Sequence, residues 1–248
     1  MTTTLRRPQF ERDGFIAVAG FLHEEEVAAC VQELDSFIEH LVPELPPEDV
    51  FYEDREDRTT LKQLQRLHEH SPWFNSFMNG KPRTLAEELL GSEVTPQNMQ
   101  YFNKPPGVGQ PTPPHQDGYY FKLEPPEALT MWLALEQVDA ENGCVRYVRG
   151  SHHHGLRPHG PTGTLGFSQG MTDFGTPEDL VAEEAMPASP GDLLAHHALT
   201  IHRADGNKSP VRTRRAIGFI FYSVNARVDN EAREAYRREA IRQQAGKI

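Results

Sequence analysis

The feature that most constrains the fold is a change of grammar at Gly91. Beyond it, short apolar runs at 97–103, 129–135, 144–148, 192–196 and 216–224 are separated by Pro- and Gly-rich connections. Short strands punctuated by turns predict a β-sandwich or barrel rather than an alternating βαβ sheet. Pro105-Pro106-Gly107, residues 111–114 and Pro125-Pro126 read as loops inside this region, not as linkers.

Before Gly91 the period is helical. Three glutamates at 24–26 precede Val27, Val31, Leu34, Phe37, Ile38 and Leu41, an apolar stripe with acids at its N-terminal turn. Pro43, Pro46 and Pro47 end it. Residues 50–60 are acidic and irregular; Leu61, Leu64 and Leu67 predict a second short helix. Pro82, Leu85, Leu89 and Leu90, closed by Gly91, predict a third. Residues 231–244 read as a charged surface helix. The expectation is one domain, mostly helical over 1–92, strand-rich over 93–226, and helical again over 227–248.

Lys and Arg number 25 against 36 Asp and Glu, a net charge of −11. That argues against a nucleic-acid partner, whose phosphates need clustered cations, but it permits a small anionic substrate in a locally basic pocket. Cys30 and Cys144 form no CxxC or zinc-type spacing, so a reducing cytoplasm is expected. Residues 1–10 lack the apolar run of a signal peptide. The most apolar stretch, 15–22, falls short of the about 20 residues of a membrane span.

The chemistry starts at His115-Gln116-Asp117. In a strand, residues two apart point the same way, so an imidazole and a carboxylate can converge on one metal ion. A surface His beside a loop Asp fits the same three letters. A third ligand should come from a distant strand, and His202, after the turn Ser189-Pro190-Gly191 and the run Leu193-Leu194-Ala195, is the candidate. Two His and one carboxylate leave three positions open, the donor set of Fe(II) oxygenases. Such a site working with 2-oxoglutarate needs a cation for the far carboxylate, and Arg214, Arg215 and Arg212 lie shortly after His202.

With these residues in view, the sequence resembles the phytanoyl-CoA dioxygenase (PhyH-like) family of Fe(II)/2-oxoglutarate-dependent oxygenases. The matching residues are His115-Gln116-Asp117; Trp132 with Glu141-Asn142-Gly143-Cys144 and Gly150-Ser151-His152; Pro190-Gly191-Asp192-Leu193-Leu194; and His202 followed by Asn207, Ser209 and Arg214-Arg215-Ala216-Ile217. The likeness reaches the first half through Asp13-Gly14-Phe15, Lys62, Leu67-His68, Pro72, Phe74 and Gln97-Asn98-Met99. It is closest to the phytanoyl-CoA dioxygenase domain-containing branch.

The resemblance implies a double-stranded β-helix (jelly roll, a cupin-like barrel), mainly β, with N-terminal helices packed on one sheet. It implies that His115, Asp117 and His202 bind iron, that Arg214 clamps the far carboxylate of 2-oxoglutarate, and that Lys62, Met99 and Trp132 line the cosubstrate pocket. It implies O2 as oxidant, succinate and CO2 as coproducts, and ascorbate as a supporting reductant. Relatives that halogenate carry a small residue in place of the carboxylate, so Asp117 favours hydroxylation of an aliphatic C–H. Ala204 departs from the family's usual Ser, Arg203 adds a cation beside the site, and the spacing from His202 to the arginine pair is longer than usual.

Candidate substrate-wall residues are Phe102, Tyr119, Tyr120, Phe121, His153, Arg157, Phe167 and Phe219. They predict a partly aromatic pocket with a few cations, His153 and Arg157 among them, for an apolar or amphipathic small molecule with an acidic group. The triple His152-His153-His154 reads as a loop at the barrel mouth, His196 or His197 as a neighbour of the site that does not ligate, and His68, His70 and His159 as peripheral. Residues 160–175 lack a P-loop ending and read as a lid. The expected enzyme is a monomer or weak homo-oligomer, without a nucleic-acid or membrane partner. Rival readings are a relative that desaturates, epimerises or cyclises, a non-catalytic metal-binding cupin-like protein, and a zinc hydrolase.

Overall fold

The computed structural model describes residues 5–164, 167–235 and 238. Helix α1 (Arg6–Asp13) stops at Gly14, whose φ of +82° the chain needs to turn into β1 (Phe15–Val18). Helix α2 (Glu24–His40) carries its three acids in the first turn and buries Val27, Cys30, Leu34 and Phe37 along the expected stripe. Next come β2 (Val50–Tyr52), β3 (Leu61–Leu64), α3 (Leu67–His70), α4 (Pro72–Met78) and α5 (Lys81–Leu90).

The second predicted helix is therefore mostly strand. Leu61 and Leu64 have helical spacing, but the segment is recruited between β2 and the next strand, where Gln63 pairs with Phe102 and Leu64 with Tyr101. Tertiary pairing overrides a short local pattern. The irregular stretch 50–60 also contributes β2 to the sheet edge.

The strand-rich half runs β4 (Val94–Phe102), β5 (Thr112–His115), α6 (Gly118–Phe121), β6 (Leu123–Glu124), β7 (Ala128–Ala134) and β8 (Val145–Val148). It continues through β9 (His159–Thr164), β10 (Phe167–Met171), α7 (Pro177–Ala182), β11 (Glu183–Met186), β12 (Leu193–His197), β13 (His202–Ala204), β14 (Ala216–Ser223) and β15 (Arg227–Val228). One antiparallel sheet has the order β1-β12-β7-β14-β4-β3-β2, and a second has β11-β8-β13-β5. This is the jelly roll, with helices on one side. The expected lid region folds in part as the hairpin β9–β10. The expected C-terminal helix lies largely outside the described residues: 227–228 belong to β15, and 230–235 are helical. Among the described residues no helix is long and apolar enough to cross a membrane.

Strand alternation decides what faces the helices and what faces the barrel interior. Met99 and Tyr101 of β4, Leu129, Met131 and Leu133 of β7, and Ile217, Phe219 and Phe221 of β14 join Phe37, Phe74 and Leu89 in one apolar core. Phe77 meets Phe219 edge-on at 5.5 Å. The intervening residues, Asn98, Gln100, Phe102, Thr130, Trp132 and Ile220, face inward to a cavity. Met99 and Phe219, expected in the pocket, are thus on the opposite face, displaced by the period-two register.

Met99 is fully buried, so Met99→Ala should lower stability by about 2–5 kcal/mol, read from urea unfolding. A change below about 0.5 kcal/mol, the scale of a surface substitution, would contradict this placement.

His197 ends β12 beside Phe10 and His152, and its Nδ1 accepts from the Leu199 amide at 3.1 Å. Burial first, then the neighbouring imidazoles of His152, His196 and His153, push it down from 6.5 to about 4. The unfolded chain takes up this proton near pH 6.5, whereas the folded chain refuses it until about pH 4. Stability should fall as pH drops through that window, by up to roughly 3 kcal/mol from this group. His197→Asn, which keeps an acceptor, should flatten the slope in urea melts taken across this range; an unchanged slope would contradict the assignment.

Candidate metal centre

Strand β5 ends at His115, and the chain then turns, so that Asp117 adopts the α conformation at the start of α6 (φ −58°, ψ −33°). The two side chains converge through this turn, not through the strand alternation that the motif alone suggested. His202 opens β13 directly opposite His115 in the ladder. Asp117 Oδ1 stands 3.6 Å from His115 Nε2 and 3.8 Å from His202 Nε2. One ligand atom from each of the three lies within 4.8 Å of the others.

The hydrogen bonds fix which nitrogen of each ring is available. His115 Nδ1 donates to the Pro113 carbonyl at 2.8 Å, and His202 Nδ1 to the Thr200 carbonyl at 3.0 Å. A carbonyl only accepts, so the protons sit on Nδ1 and both Nε2 lone pairs face Asp117. Burial, reinforced by His115 and His196, holds His202 well below the usual imidazole range, which keeps it an acceptor. Burial opposes the charge on Asp117, but His202, His115 and His196 outweigh it and hold the carboxyl well below its ordinary value. Two imidazoles and one carboxylate therefore share a buried corner, a set that fits an iron(II) ion with positions to spare.

A further layer holds Asp117 Oδ2. Thr130 Oγ1 donates to it at 2.5 Å and His196 Nε2 at 3.1 Å. Tyr147 in turn donates its hydroxyl to His196 Nδ1 at 2.9 Å. Burial, with the Asp117 charge, pushes the Tyr147 phenol well above its ordinary value, so it remains a donor. His196 is the non-ligating neighbour expected from sequence; Thr130 and Tyr147 carry no motif and were not legible. Gln116, inside the motif, is fully buried and donates to the carbonyls of Gly155 and Leu199 at 2.9 and 2.7 Å, tying the ligand turn to two loops.

The triad opens onto a cavity of about 300 Å³ that also includes Trp132 and Arg214. Arg214 is 4% exposed, makes no salt bridge among the described residues, and its Nε has no hydrogen-bond partner there. Its guanidinium lies over the Trp132 ring at 5.2 Å. Burial lowers its pKa only to about 10, leaving it cationic at neutral pH. Arg215 points to the helix side, against Asp35 and the Tyr101 ring. Of the two arginines, Arg214 is the one that faces the cavity.

Of the remaining expected pocket residues, Phe102, Tyr120, Phe121 and Trp132 line the cavity. Lys62 is a strand residue paired with Glu53 at 3.2 Å and is not on the cavity wall; its neighbour Gln63 is. Tyr119 turns away and stacks on His159 at 4.4 Å. His153 packs on His152 and approaches the Arg12 carbonyl of α1. Arg157 is held by Asp173 and Asp179, at 3.2 and 2.6 Å, so its charge is spent on the surface. Arg203 reaches the wall, but Glu183 and Asp205 neutralise it. Ala204 faces the cavity. The side chain of Phe167 lies outside the described residues.

The family model for phytanoyl-CoA dioxygenase (PhyH) matches residues 10–216. Phytanoyl-CoA dioxygenase 1 of Oryza sativa subsp. japonica is 32% identical over 149 residues, covering 58% of this chain and 51% of the relative, so the match spans about half of that protein. Among solved structures, the epimerase SnoN in complex with Fe3+, alpha ketoglutarate and nogalamycin RO superposes with a TM-score of 0.71 at 24% identity, over 90% of this chain and 84% of SnoN. EctD from S. alaskensis with 2-oxoglutarate and 5-hydroxyectoine gives 0.72 at 19% identity, over 90% of this chain and 77% of EctD. These two likenesses establish the shared fold. With the family model spanning most of the sequence, the chain belongs to the phytanoyl-CoA dioxygenase (PhyH) family and is an enzyme of the 2-oxoglutarate-dependent non-haem iron oxygenase class.

Proposed function

We propose that this chain hydroxylates an aliphatic C–H of a small-molecule metabolite, consuming 2-oxoglutarate and O2 and releasing succinate and CO2. One observation carries the reading: an intact His-Asp-His donor set shares a single cavity with Arg214, a buried guanidinium that still has an unspent N–H. A buried cation without a partner is costly unless an anion completes it. A dicarboxylate spanning from the metal to Arg214 meets both requirements.

Bound iron with its oxoacid and O2 supplies the oxidising chemistry. His115, Asp117 and His202 hold the metal, and Thr130 and His196 fix the carboxylate so that it presents Oδ1. Arg214, whose guanidinium lies over the Trp132 ring, would hold the far carboxylate through charge-assisted hydrogen bonds. The buried wall excludes water and sets the angle at which a substrate C–H meets the metal. Asp117 supports hydroxylation over halogenation, since halogenating relatives carry a small residue where this chain has a carboxylate. The acidic charge and the free buried Cys30 and Cys144 support a cytoplasmic enzyme with no nucleic-acid partner.

The direct test is succinate release from 2-oxoglutarate with Fe(II) under air, with product analysis to separate hydroxylation from epimerisation or ring closure. Asp117→Ala should abolish product formation; wild-type activity in that variant would remove Asp117 from the ligand set.

Arg214→Gln should raise the KM for 2-oxoglutarate roughly 10- to 150-fold, the worth of a charge-assisted hydrogen bond of about 1.5–3 kcal/mol. Arg215→Gln should leave that KM within about twofold, because its partners, Asp35 and the Tyr101 ring, lie on the helix side and not in the cavity. The reverse ranking would reassign the clamp.

A further inference from the structure

The part of the cavity lining that comes from β3 and β4 is built of carboxamides, a feature the oxygenase chemistry does not require. Gln63 and Gln65, at and just after β3, stand beside Asn98 and Gln100 of β4. Their internal bonds leave a definite remainder. Gln65 Oε1 accepts from Asn98 Nδ2 at 2.6 Å and from Gln100 Nε2 at 2.7 Å. Asn98 Oδ1 accepts from the Arg66 amide at 3.0 Å. Gln65 Oε1 is thereby saturated, and its NH2 group is the end left to donate. Gln63 is 3% exposed, and its Oε1 has no hydrogen-bond partner among the described residues. A buried amide left unpaired costs roughly 1–3 kcal/mol, so such a wall is stable when something polar meets it.

Charge points the same way. The ionisable groups that line the cavity are the triad, His196, Arg203, Arg214 and the phenols of Tyr120 and Tyr147. Arg203 is spent on Glu183 and Asp205, and Arg214 is the cation for 2-oxoglutarate. A substrate carboxylate or phosphate would find no further free cation among these lining residues. Apart from the hydroxyls of Thr112, Thr130, Tyr120 and Tyr147 the rest of the lining is apolar, and Gly218 contributes to its shape: a Cβ there would stand 2.6 Å from the Phe102 ring, so the glycine gives Phe102 its place on the wall. The volume, about 300 Å³, is at the small end of the roughly 300–1,000 Å³ of ligand pockets, and the cosubstrate takes part of it.

We propose that the substrate is a compact neutral molecule bearing two or more hydroxyl or amide groups on an apolar skeleton, read by Gln63, Gln65, Asn98 and Gln100. This rests on the oxygenase reading and names its substrate class, replacing the acidic, partly aromatic-bound metabolite that the sequence alone suggested. A thioester of coenzyme A, with its phosphates, is the wrong class for this wall.

The experiment uses the full chain loaded with Fe(II) and 2-oxoglutarate under air, and reads succinate release above the basal rate. The neutral probes are methyl α-D-glucopyranoside, myo-inositol and N-acetylglucosamine; the anionic probes are octanoate and octanoyl-CoA. At least one neutral probe should stimulate release and neither anionic probe should. For that neutral probe, Gln65→Leu and Gln100→Leu should each raise the half-saturating concentration about tenfold, the cost of one or two hydrogen bonds, with thermal melting confirming that each variant is folded. Stimulation by octanoate or octanoyl-CoA, no stimulation by any neutral probe while basal turnover proceeds, or unchanged half-saturation in both folded variants would overturn the substrate assignment. Absence of all 2-oxoglutarate turnover would instead bring down the oxygenase reading beneath it, so the two failures are distinct.

Discussion

Asp117 is a carboxylate taken almost out of water, and it keeps its charge because Thr130 and His196 donate to one of its oxygens. The other oxygen faces the Nε2 atoms of His115 and His202. Remove the donors and burial would favour the neutral acid; remove the burial and the imidazoles would be solvated and free to reorient. The two backbone carbonyls that accept from His115 and His202 complete the arrangement by fixing the ring that faces inward. What results is a compact anionic corner with two lone pairs beside it, which is a metal site by its donor chemistry.

The seven-stranded sheet makes that corner possible because its two faces do different jobs. On the outside, Met99, Met131, Leu133 and Phe219 lock onto the helices. On the inside, the residues between them supply Thr130, Trp132, Gln100 and Phe102 to the cavity. The same β14 that contributes Phe219 to the core begins two residues after Arg214, whose carbonyl accepts from the Lys104 amide at 3.2 Å, so the cation is placed by the connection that leads into that strand. A one-residue slip of register would exchange core and cavity along the whole strand. Stability and site geometry are therefore set by the same pairings.

Much of this was legible in the sequence where a residue type has few alternative uses. His115, Asp117 and His202 announce a ligand set, and five strand runs were placed close to their observed bounds because turn residues flank them. Helix α2 was read from its acids and stripe, and α5 from Pro82 and Gly91. Legibility failed where a residue's role depends on which face it takes. Met99 and Phe219 were assigned inward and lie outward, because side-chain direction follows a register that only the paired strand fixes. Lys62 was read on a helix and sits in β3 beside Glu53. Arg157 and His153 were read as pocket cations and are consumed by Asp173, Asp179 and the N-terminal helix. The carboxamide wall left no sequence signal, since Gln and Asn scattered over two strands resemble surface residues until β3 and β4 are aligned.

The central claim is that one cavity holds both ends of 2-oxoglutarate, its keto acid at a metal on His115, Asp117 and His202 and its far carboxylate at Arg214. The most direct measurement is an anaerobic titration of the Fe(II)-loaded protein with 2-oxoglutarate, followed by visible absorption. The account predicts a saturable one-to-one absorption band that requires metal and oxoacid together. Tight Fe(II) binding with no such band at any 2-oxoglutarate concentration would contradict it.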